Sequence, residues 1–203
     1  MMTRYLPPLL AAAVVLAGCT TLRETDPEQT ARQQLLLSTA ADHAASQIKP
    51  NLPAGNTIYV DTSLFGTSED YKNLYALNSV NAALLRQGYS LTDDVDQADA
   101  ILKIANGALS IDNTSKLFGI PSASVPIPLT GSLKTPELAL WKSEERTGVA
   151  KLLAVFYDAK TGAPLDAGMP VYGFSHYDRS KILFYGRTRS DLIPLEGKAR
   201  KEQ

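Results

Sequence analysis

The chain has 203 residues, of which 44% are hydrophobic and 20% are charged, and its formal net charge is −1. This composition is that of an ordinary globular protein, and the near-neutral charge excludes a large field that would attract nucleic acid or acidic substrates. We therefore expect no nucleic-acid partner.

The first predicted element is a short apolar run that ends near the only cysteine of the chain, Cys19. One cation, Arg4, precedes about a dozen apolar residues, fewer than the roughly 20 that span a bilayer. The pattern is typical of a secretory signal peptide, which we assign to residues 1–18. Because no second cysteine exists, Cys19 has no disulfide partner within the chain.

The four residues Leu16-Ala17-Gly18-Cys19 resemble the bacterial lipobox. The resemblance implies that the chain is cleaved before Cys19, which then carries a diacylglycerol on its thiol and an acyl chain on its new amine. Two or more acyl chains make membrane anchoring stable. Thr20, rather than Asp, follows the cysteine, which by the same resemblance implies the outer membrane, with the body facing the periplasm. Residues 19–28 would form the lipidated tether.

Alternation and capping signals then predict two helices and a first group of strands. Asp26-Pro27 is typical of a helix start, Lys49-Pro50 ends that helix, and Gly88 follows the second helix in the usual C-terminal position. The predicted elements up to the middle of the chain are a helix from Asp26 to Ile48, a strand at 57–61, a helix from Glu69 or Asp70 to Gln87, a short strand at 89–91, a turn at 93–98 and a strand beginning at Ala100.

A long loop is predicted at residues 112–133, because this segment contains three prolines and two glycines. Beyond it the pattern predicts strands at 136–141, 149–157 and 171–177, with turns at 144–148 and 158–162. From Arg179 onward there are seven Lys or Arg against three Asp or Glu.

This order of elements predicts an α+β fold. We expect a single domain at residues 29–178, in which two helices pack on a mixed, largely antiparallel sheet with a long Pro/Gly-rich loop. Residues 179–203 would form a basic C-terminal tail.

Three short motifs match the signatures of penicillin-binding proteins: Ser46-x-x-Lys49, Ser79-x-Asn81 and Lys160-Thr161-Gly162. The geometry excludes the match, because that serine must begin a helix with the lysine one turn later. Here Ser46 lies at a helix end, and the residue before Pro50 avoids the helical conformation.

No other constellation predicts catalysis or metal binding. The only histidines are His43 and His176, and strand alternation places Ser175 on the opposite face from His176. The densest carboxylates lack the glycine and final glutamate of a calcium loop; they are Asp93, Asp94, Asp96 and Asp99. We expect no enzyme, no metal and no cofactor apart from the lipid on Cys19.

The most promising functional segment is the apolar part of the predicted loop. Long loops in compact domains are usually functional or disordered, and the apolar content disfavours disorder. Two alternatives remain open: the loop contacts a partner, or it folds back as a lid over its own sheet. The candidate partner-binding residues are Leu117, Phe118, Ile120, Val125, Ile127 and Leu129.

Four segments of the body resemble a bacterial lipoprotein family whose domain has no assigned function. They are "QLLLSTAADHA" (34–44), "ADAILKI" (98–104), "GIPSASVPIPLTGSLKTPELALWK" (119–142) and "FYDAKTG" (156–162). The strand followed by "DAKTG" is also similar, at the level of fold, to envelope assembly lipoproteins of the curli-secretion type. Neither resemblance implies catalytic residues.

Together these features predict a non-enzymatic, membrane-anchored periplasmic lipoprotein that acts as a scaffold or assembly factor for other envelope proteins. The alternative is a carrier of a small ligand or lipid, with the loop closing a pocket beside the sheet. A closed apolar cavity beneath Phe118 and Ile120 would favour the carrier, and an exposed segment would favour the scaffold.

Overall fold

The computed structural model describes residues 30–66, 70–127 and 131–193, with the backbone alone for 125–127 and 131–134. Two 16-residue helices lie in the first half of the chain, α1 (Ala31–Ser46) and α2 (Tyr71–Arg86). Both lie where the sequence predicts helices. The N-cap residue of α2, Asp70, accepts a hydrogen bond from the Lys72 backbone amide at 3.1 Å. Gly88 follows α2 with a φ of 90°, as its predicted position requires.

Nine strands and a short 3-10 helix (Val95–Gln97) complete the elements of the described part of the chain. The strands are β1 (Thr57–Asp61), β2 (Ser90–Thr92), β3 (Ala100–Ile120), β4 (Ser124–Ile127), β5 (Gly131–Lys134), β6 (Leu138–Asp158), β7 (Pro164–Asp166), β8 (Val171–Ile182) and β9 (Tyr185–Ser190). Seven strands form one mixed sheet in the order β2-β1-β3-β6-β8-β9, with β7 paired to β6. The strands β4 and β5 pair only with each other.

The predicted α+β class with a long loop is wrong: strands make up 48% of the structure and helices 23%, a sheet-rich fold. The error lies mainly at residues 112–133. Residues 112–120 continue β3, and most of the remainder forms the β4–β5 hairpin. The turn predicted at 144–148 is also wrong, because β6 runs through it without a break. These strands lack an apolar alternation because neither of their faces is buried.

The core lies between the two helices and one face of the sheet. On β3 and β6 alternate residues point towards the helices and are buried, as strand geometry requires. The largest fully buried side chains are Phe156, Leu36, Ile58, Leu84, Leu102, Ile104, Leu152, Val80 and Ser175. The opposite face, which we call the open face, has no helix on it in the described part of the chain.

Small residues let α1 approach the sheet closely. A Cβ at Gly173 would collide with the Ala40 carbonyl oxygen and the Ala44 amide nitrogen of the helix. A Cβ at Gly148 would collide in the same way with the Leu36 carbonyl. The Ser175 hydroxyl donates a hydrogen bond to that carbonyl at 2.6 Å. At Gly148 and Gly173 the helix therefore packs directly against the backbone of the sheet.

Strands β3 and β6 pair antiparallel over their full 21 residues, with two irregularities. One is a bulge between Asn106 and Ala108, at Gly107, and the other lies between Phe118 and Gly119. A bulge inserts an extra residue and bends the strand. The first bulge lies close to the point where β3 leaves the helix-covered body.

Residues 179–203, interpreted as a basic tail, are described as far as Ile193. Within that range, residues 179–182 belong to β8 and 185–190 to β9. The signal peptide, the tether and Cys19 lie outside the described residues. No helix in the described part of the chain is long and apolar enough to cross a membrane.

Candidate functional site

The outer ends of β3, β6, β8 and β9 form a ribbon that extends beyond the helices. We call this ribbon the arm: residues 112–120, 138–147 and 177–190. At about 3.3 Å per residue, the nine residues from β3 span about 30 Å. None of the arm's residues is buried. Backbone hydrogen bonds and ion pairs therefore hold the arm together, and none of its residues belongs to the buried core.

Large apolar side chains gather at the far end of the arm, where they are exposed to solvent. We call this group the tip. Its exposed fractions range from 36% for Trp141 to 100% for Phe184. The members are Phe118, Ile120, Leu138, Leu140, Trp141, Ile182, Leu183, Phe184 and Tyr185. A contiguous apolar patch of this kind marks an interaction surface.

Strand register explains why the tip forms. Phe118 pairs with Trp141, Trp141 with Ile182, and Ile182 with Tyr185. Residues directly opposite one another on adjacent strands share a face of the sheet. The four side chains therefore form one apolar row across the open face.

The turn between β8 and β9 places two further apolar residues at the end of the row. Leu183 has a φ of 49°, in the left-handed region that favours Gly or Asn over a bulky residue. Phe184 is fully exposed. The Leu183 amide donates to the Leu140 carbonyl at 2.9 Å, which ties the turn to β6. The Phe184 side chain contributes no burial to the fold, so its presence indicates a role outside folding.

The second irregularity of the β3–β6 pair, a bulge of β6 opposite Gly119, shapes the other side of the tip. Gly119 has a φ of 152°, and a Cβ there would collide with the Leu138 carbonyl oxygen. Beyond this bulge Ile120 pairs with Leu138, and Leu140 is the extra residue on β6. The bulge requires a glycine and leaves three apolar residues at the end of the β3–β6 pair.

Charged residues lie next to the tip. On the open face, the next row contains Lys116, Ser143, Ser180 and Arg187. The Lys116 ammonium lies 3.8 Å from the Glu145 carboxylate. On the face that carries the helices elsewhere in the sheet, the Lys142 ammonium forms salt bridges with the carboxylates of Glu137 at 3.0 Å and Glu144 at 3.3 Å. The hydrogen bond to Glu137 raises the pKa of Lys142.

The structure separates the predicted partner-binding residues. Phe118 and Ile120 belong to the tip, exposed at 66% and 62%. Leu117 is half-buried on the other face of β3. Val125 and Ile127 lie on β4, where only the backbone is described, and Leu129 lies outside the described residues.

The sequence patterns do not predict that residues of β6, β8 and β9 belong to a functional surface. Their sequence signal is the run Ile182-Leu183-Phe184-Tyr185, four large apolar residues within the segment interpreted as a basic tail. On β6 the signal is "LALW" at 138–141, which was interpreted only as a strand.

The two serines of the penicillin-binding signatures have structural contacts. The Ser46 hydroxyl donates to the His43 carbonyl at 2.8 Å, at the end of α1. The Ser79 hydroxyl donates to the Asp42 carboxylate at 2.6 Å, joining the two helices. Burial and the same carboxylate raise the pKa of Tyr75, whose hydroxyl also donates to Asp42.

Each of the two histidines also has a structural hydrogen bond. His43 Nδ1 donates to the Phe174 carbonyl oxygen at 2.6 Å. The backbone amide of His176 donates to the Asp191 carboxylate at 2.8 Å, and Ser175 lies buried on the opposite face. Among residues 30–66, 70–127 and 131–193, no three His, Cys, Asp or Glu side chains are grouped to hold a metal ion.

An apolar groove of about 360 Å³ lies between the N-terminal halves of α1 and α2. Its apolar lining comes mainly from Ala31, Leu35, Leu37, Tyr71 and Tyr75. Neither Phe118 nor Ile120 lines this groove. The groove and the tip are therefore separate features of the molecule.

The fold defines a class of sheet-rich domain in which two helices cover part of one face of a mixed sheet, and the ends of four strands extend as an arm without buried residues. The chain belongs to the family of unknown function DUF6655, whose sequence model matches residues 13–175. The matched range includes Cys19 and ends at Ser175, so the β8–β9 turn of the tip lies beyond it. No curated protein matches the sequence.

Proposed function

We propose that this protein is a non-enzymatic lipoprotein of the bacterial envelope. Its lipid anchor on Cys19 would hold the body to the outer membrane, facing the periplasm, and its arm would dock the tip onto another envelope component. In this role the protein is a scaffold or assembly factor, with no cofactor beyond the covalent lipid. The weak similarity to curli-secretion lipoproteins is consistent with a role in envelope assembly and adds no residue-level detail.

The exposed tip is the observation that carries the proposal. Nine large apolar side chains stand in solvent at the end of a ribbon that has no buried residue. Burying a large apolar side chain is worth about 1.5–3 kcal/mol, so leaving this group exposed forgoes a substantial stabilisation. A surface of this kind is explained by a component that covers it.

The anchor is supported by the sequence Leu16-Ala17-Gly18-Cys19 and by the length of the apolar run before it. We predict that Cys19→Ala prevents lipid attachment and cleavage. Metabolic labelling with a radioactive fatty acid, followed by mass spectrometry of the N-terminus, measures both. Wild-type protein that keeps Met1 or Met2 and an unmodified thiol would contradict the anchor.

The docking role is tested by photo-crosslinking in intact cells. We predict that a photoreactive residue at Phe184 gives adducts with an envelope component, detected by mass spectrometry as either protein or lipid. The matched control is Met169, which is 86% exposed and lies outside the arm. Equal yields from the two positions would count against a docking role for the tip.

A second candidate function, a carrier of a small apolar ligand or lipid, is favoured by the groove between α1 and α2. The sequence analysis expected a carrier pocket beneath Phe118 and Ile120, but neither residue lines this groove. We expect Leu35→Asp to abolish binding of a fluorescent fatty acid if the carrier function holds. The variant Phe184→Ser should then bind the probe as the wild type does. If Phe184→Ser loses probe binding and Leu35→Asp keeps it, the fatty acid binds at the tip and the groove is not the carrier site.

A further inference from the structure

The shape of the tip indicates what kind of component covers it. The row formed by Phe118, Trp141, Ile182 and Tyr185 lies on the open face, and Leu183 and Phe184 cap its end. Further apolar residues lie beyond the bulge at Gly119. The apolar residues therefore occupy the open face of the arm, its β8–β9 turn and the end of the β3–β6 pair. A fluid lipid layer can surround such residues without a preformed groove.

The aromatic residues of the tip are those found where membrane meets water. Trp141 and Tyr185 join an apolar ring to a polar N–H or O–H group, and such residues concentrate at headgroup level. Trp141 is the only tryptophan among the 203 residues. Phe118 and Phe184 supply purely apolar rings beside them.

Cations lie at the distance from the tip that a bilayer interface requires. Arg187 is two residues from Tyr185 on β9, about 7 Å along the strand. Lys181 precedes Ile182 on β8 and is exposed. An interfacial segment buries its apolar side by about 5–10 Å, which brings cations at this distance to the phosphates. Within the described part of the chain, the ion pairs next to the tip engage Lys116 and Lys142 rather than Arg187 or Lys181.

The turn adds an independent argument. Leu183 occupies a left-handed backbone conformation that a glycine or asparagine would adopt with less strain. The structure keeps a bulky apolar residue there, followed by a fully exposed phenylalanine. Two apolar residues at a strained, exposed turn are explained if the turn leaves water when the protein acts.

We propose that the tip inserts into the interfacial layer of a lipid bilayer and that Lys181 and Arg187 contact anionic lipid headgroups. This inference rests on the proposed function, since it names the component onto which the tip docks. The bilayer would bind the arm at a second point in addition to the lipid on Cys19.

The test uses the full lipidated chain reconstituted on vesicles of phosphatidylcholine and phosphatidylglycerol, with bromine atoms on the acyl chains. The anchor holds every variant to the vesicle, so fluorescence quenching of Trp141 by bromine reports on the tip alone. We expect quenching and a blue-shifted emission for the wild type. Phe184→Ser should lower the ratio of inserted to free tip about tenfold. Met169→Ser, an exposed apolar residue outside the arm, should leave that ratio unchanged.

The charged contacts are tested on the same vesicles. Lys181→Gln and Arg187→Gln should each lower the ratio of inserted to free tip about fivefold when phosphatidylglycerol is present. Neither substitution should matter on phosphatidylcholine alone. Equal effects on both kinds of vesicle would overturn the headgroup contacts.

The outcomes separate the two proposals. Protein that fails to float with the vesicles would overturn the anchor and hence the proposed function. Protein that floats while Trp141 stays unquenched would overturn insertion alone. A protein adduct at Phe184 in cells, in place of a lipid adduct, would also overturn insertion and would assign the tip to a protein partner.

Discussion

Gly173 is the residue on which the packing of α1 depends most directly. It lies on β8 beneath the helix, in contact with the backbone of Ala40 and Ala44. We predict that Gly173→Ala lowers the free energy of unfolding by about 3 kcal/mol, because the new Cβ must displace the helix. Chemical denaturation measures this change. Gly186→Ala, on the exposed strand β9, is the control, since a Cβ there meets nothing closer than 3.9 Å. Equal losses in both variants would contradict this account.

Asp158 links a single carboxylate to the pH dependence of stability. It accepts hydrogen bonds from the Thr161 amide at 2.7 Å, the Thr161 hydroxyl at 2.8 Å and the Lys160 amide at 3.1 Å. These bonds, led by that from the Thr161 amide, lower the pKa of Asp158 below 3.8. A lowered pKa stabilises the fold above the unfolded-state pKa, and the effect disappears as pH falls through the folded-state pKa.

The corresponding prediction concerns Asp158→Ala. At neutral pH the variant should melt at a lower temperature than the wild type. In acid well below pH 3.8 the two melting curves should converge, since the wild-type carboxyl is then protonated. Thermal melts followed by circular dichroism measure both. A melting difference that persists unchanged in acid would show that the carboxylate charge is not its source.

Among the elements, the end of the β3–β6 pair depends on its bulge. Gly119→Ala would force a Cβ against the Leu138 carbonyl oxygen at a φ of 152°. We predict that hydrogen exchange speeds up at residues 116–120 and 138–142 and stays unchanged in α1 and α2. Thr114→Ala, in the same strand and away from the bulge, is the control. Protection at the end of the arm that survives the substitution would show that the bulge can rearrange.

The elements of the body could be predicted because their signals are local. The strand at 57–61 agrees with β1, both helices lie where they were predicted, and the turn at 158–162 is confirmed, with Gly162 at a φ of 73°. Alternating burial marks β3 as far as Ile104, since one face lies under the helices. Elements with one face buried in the core carry a periodic apolar pattern, and this pattern can be read from neighbouring residues in the sequence.

The arm could not be predicted in the same way, because its strands depend on long-range pairing. Asn113-Thr114-Ser115 has neither an apolar face nor strong strand preference, yet it pairs with residues 144–146. Phe118 and Ile120 belong to the apolar segment that the sequence singles out as either a contact surface or a lid, although the segment was predicted to be a loop and forms the end of β3. Trp141 and the Ile182–Tyr185 run join them only through the register of four strands, which no local pattern encodes.

At the scale of the whole molecule, a body with a core carries an arm without one. The only tryptophan, Trp141, lies in the arm, whereas both helices lie in the body. We predict that tryptophan fluorescence changes at a lower denaturant concentration than the helical circular dichroism signal, because local stability follows buried contacts. Coincident transitions by the two probes would show that body and arm unfold as one cooperative unit.

The bulge at Gly107 has a geometric consequence for the molecule. It lies a few residues before β3 enters the arm, and a bulge bends its strand and increases the local twist. Pairing resumes immediately after it, with Ala108 opposite Lys151, so removing Gly107 would leave every later partner unchanged. The single extra residue Gly107 therefore sets the direction of the arm relative to the rest of the sheet, and it does so without changing the strand register of the arm.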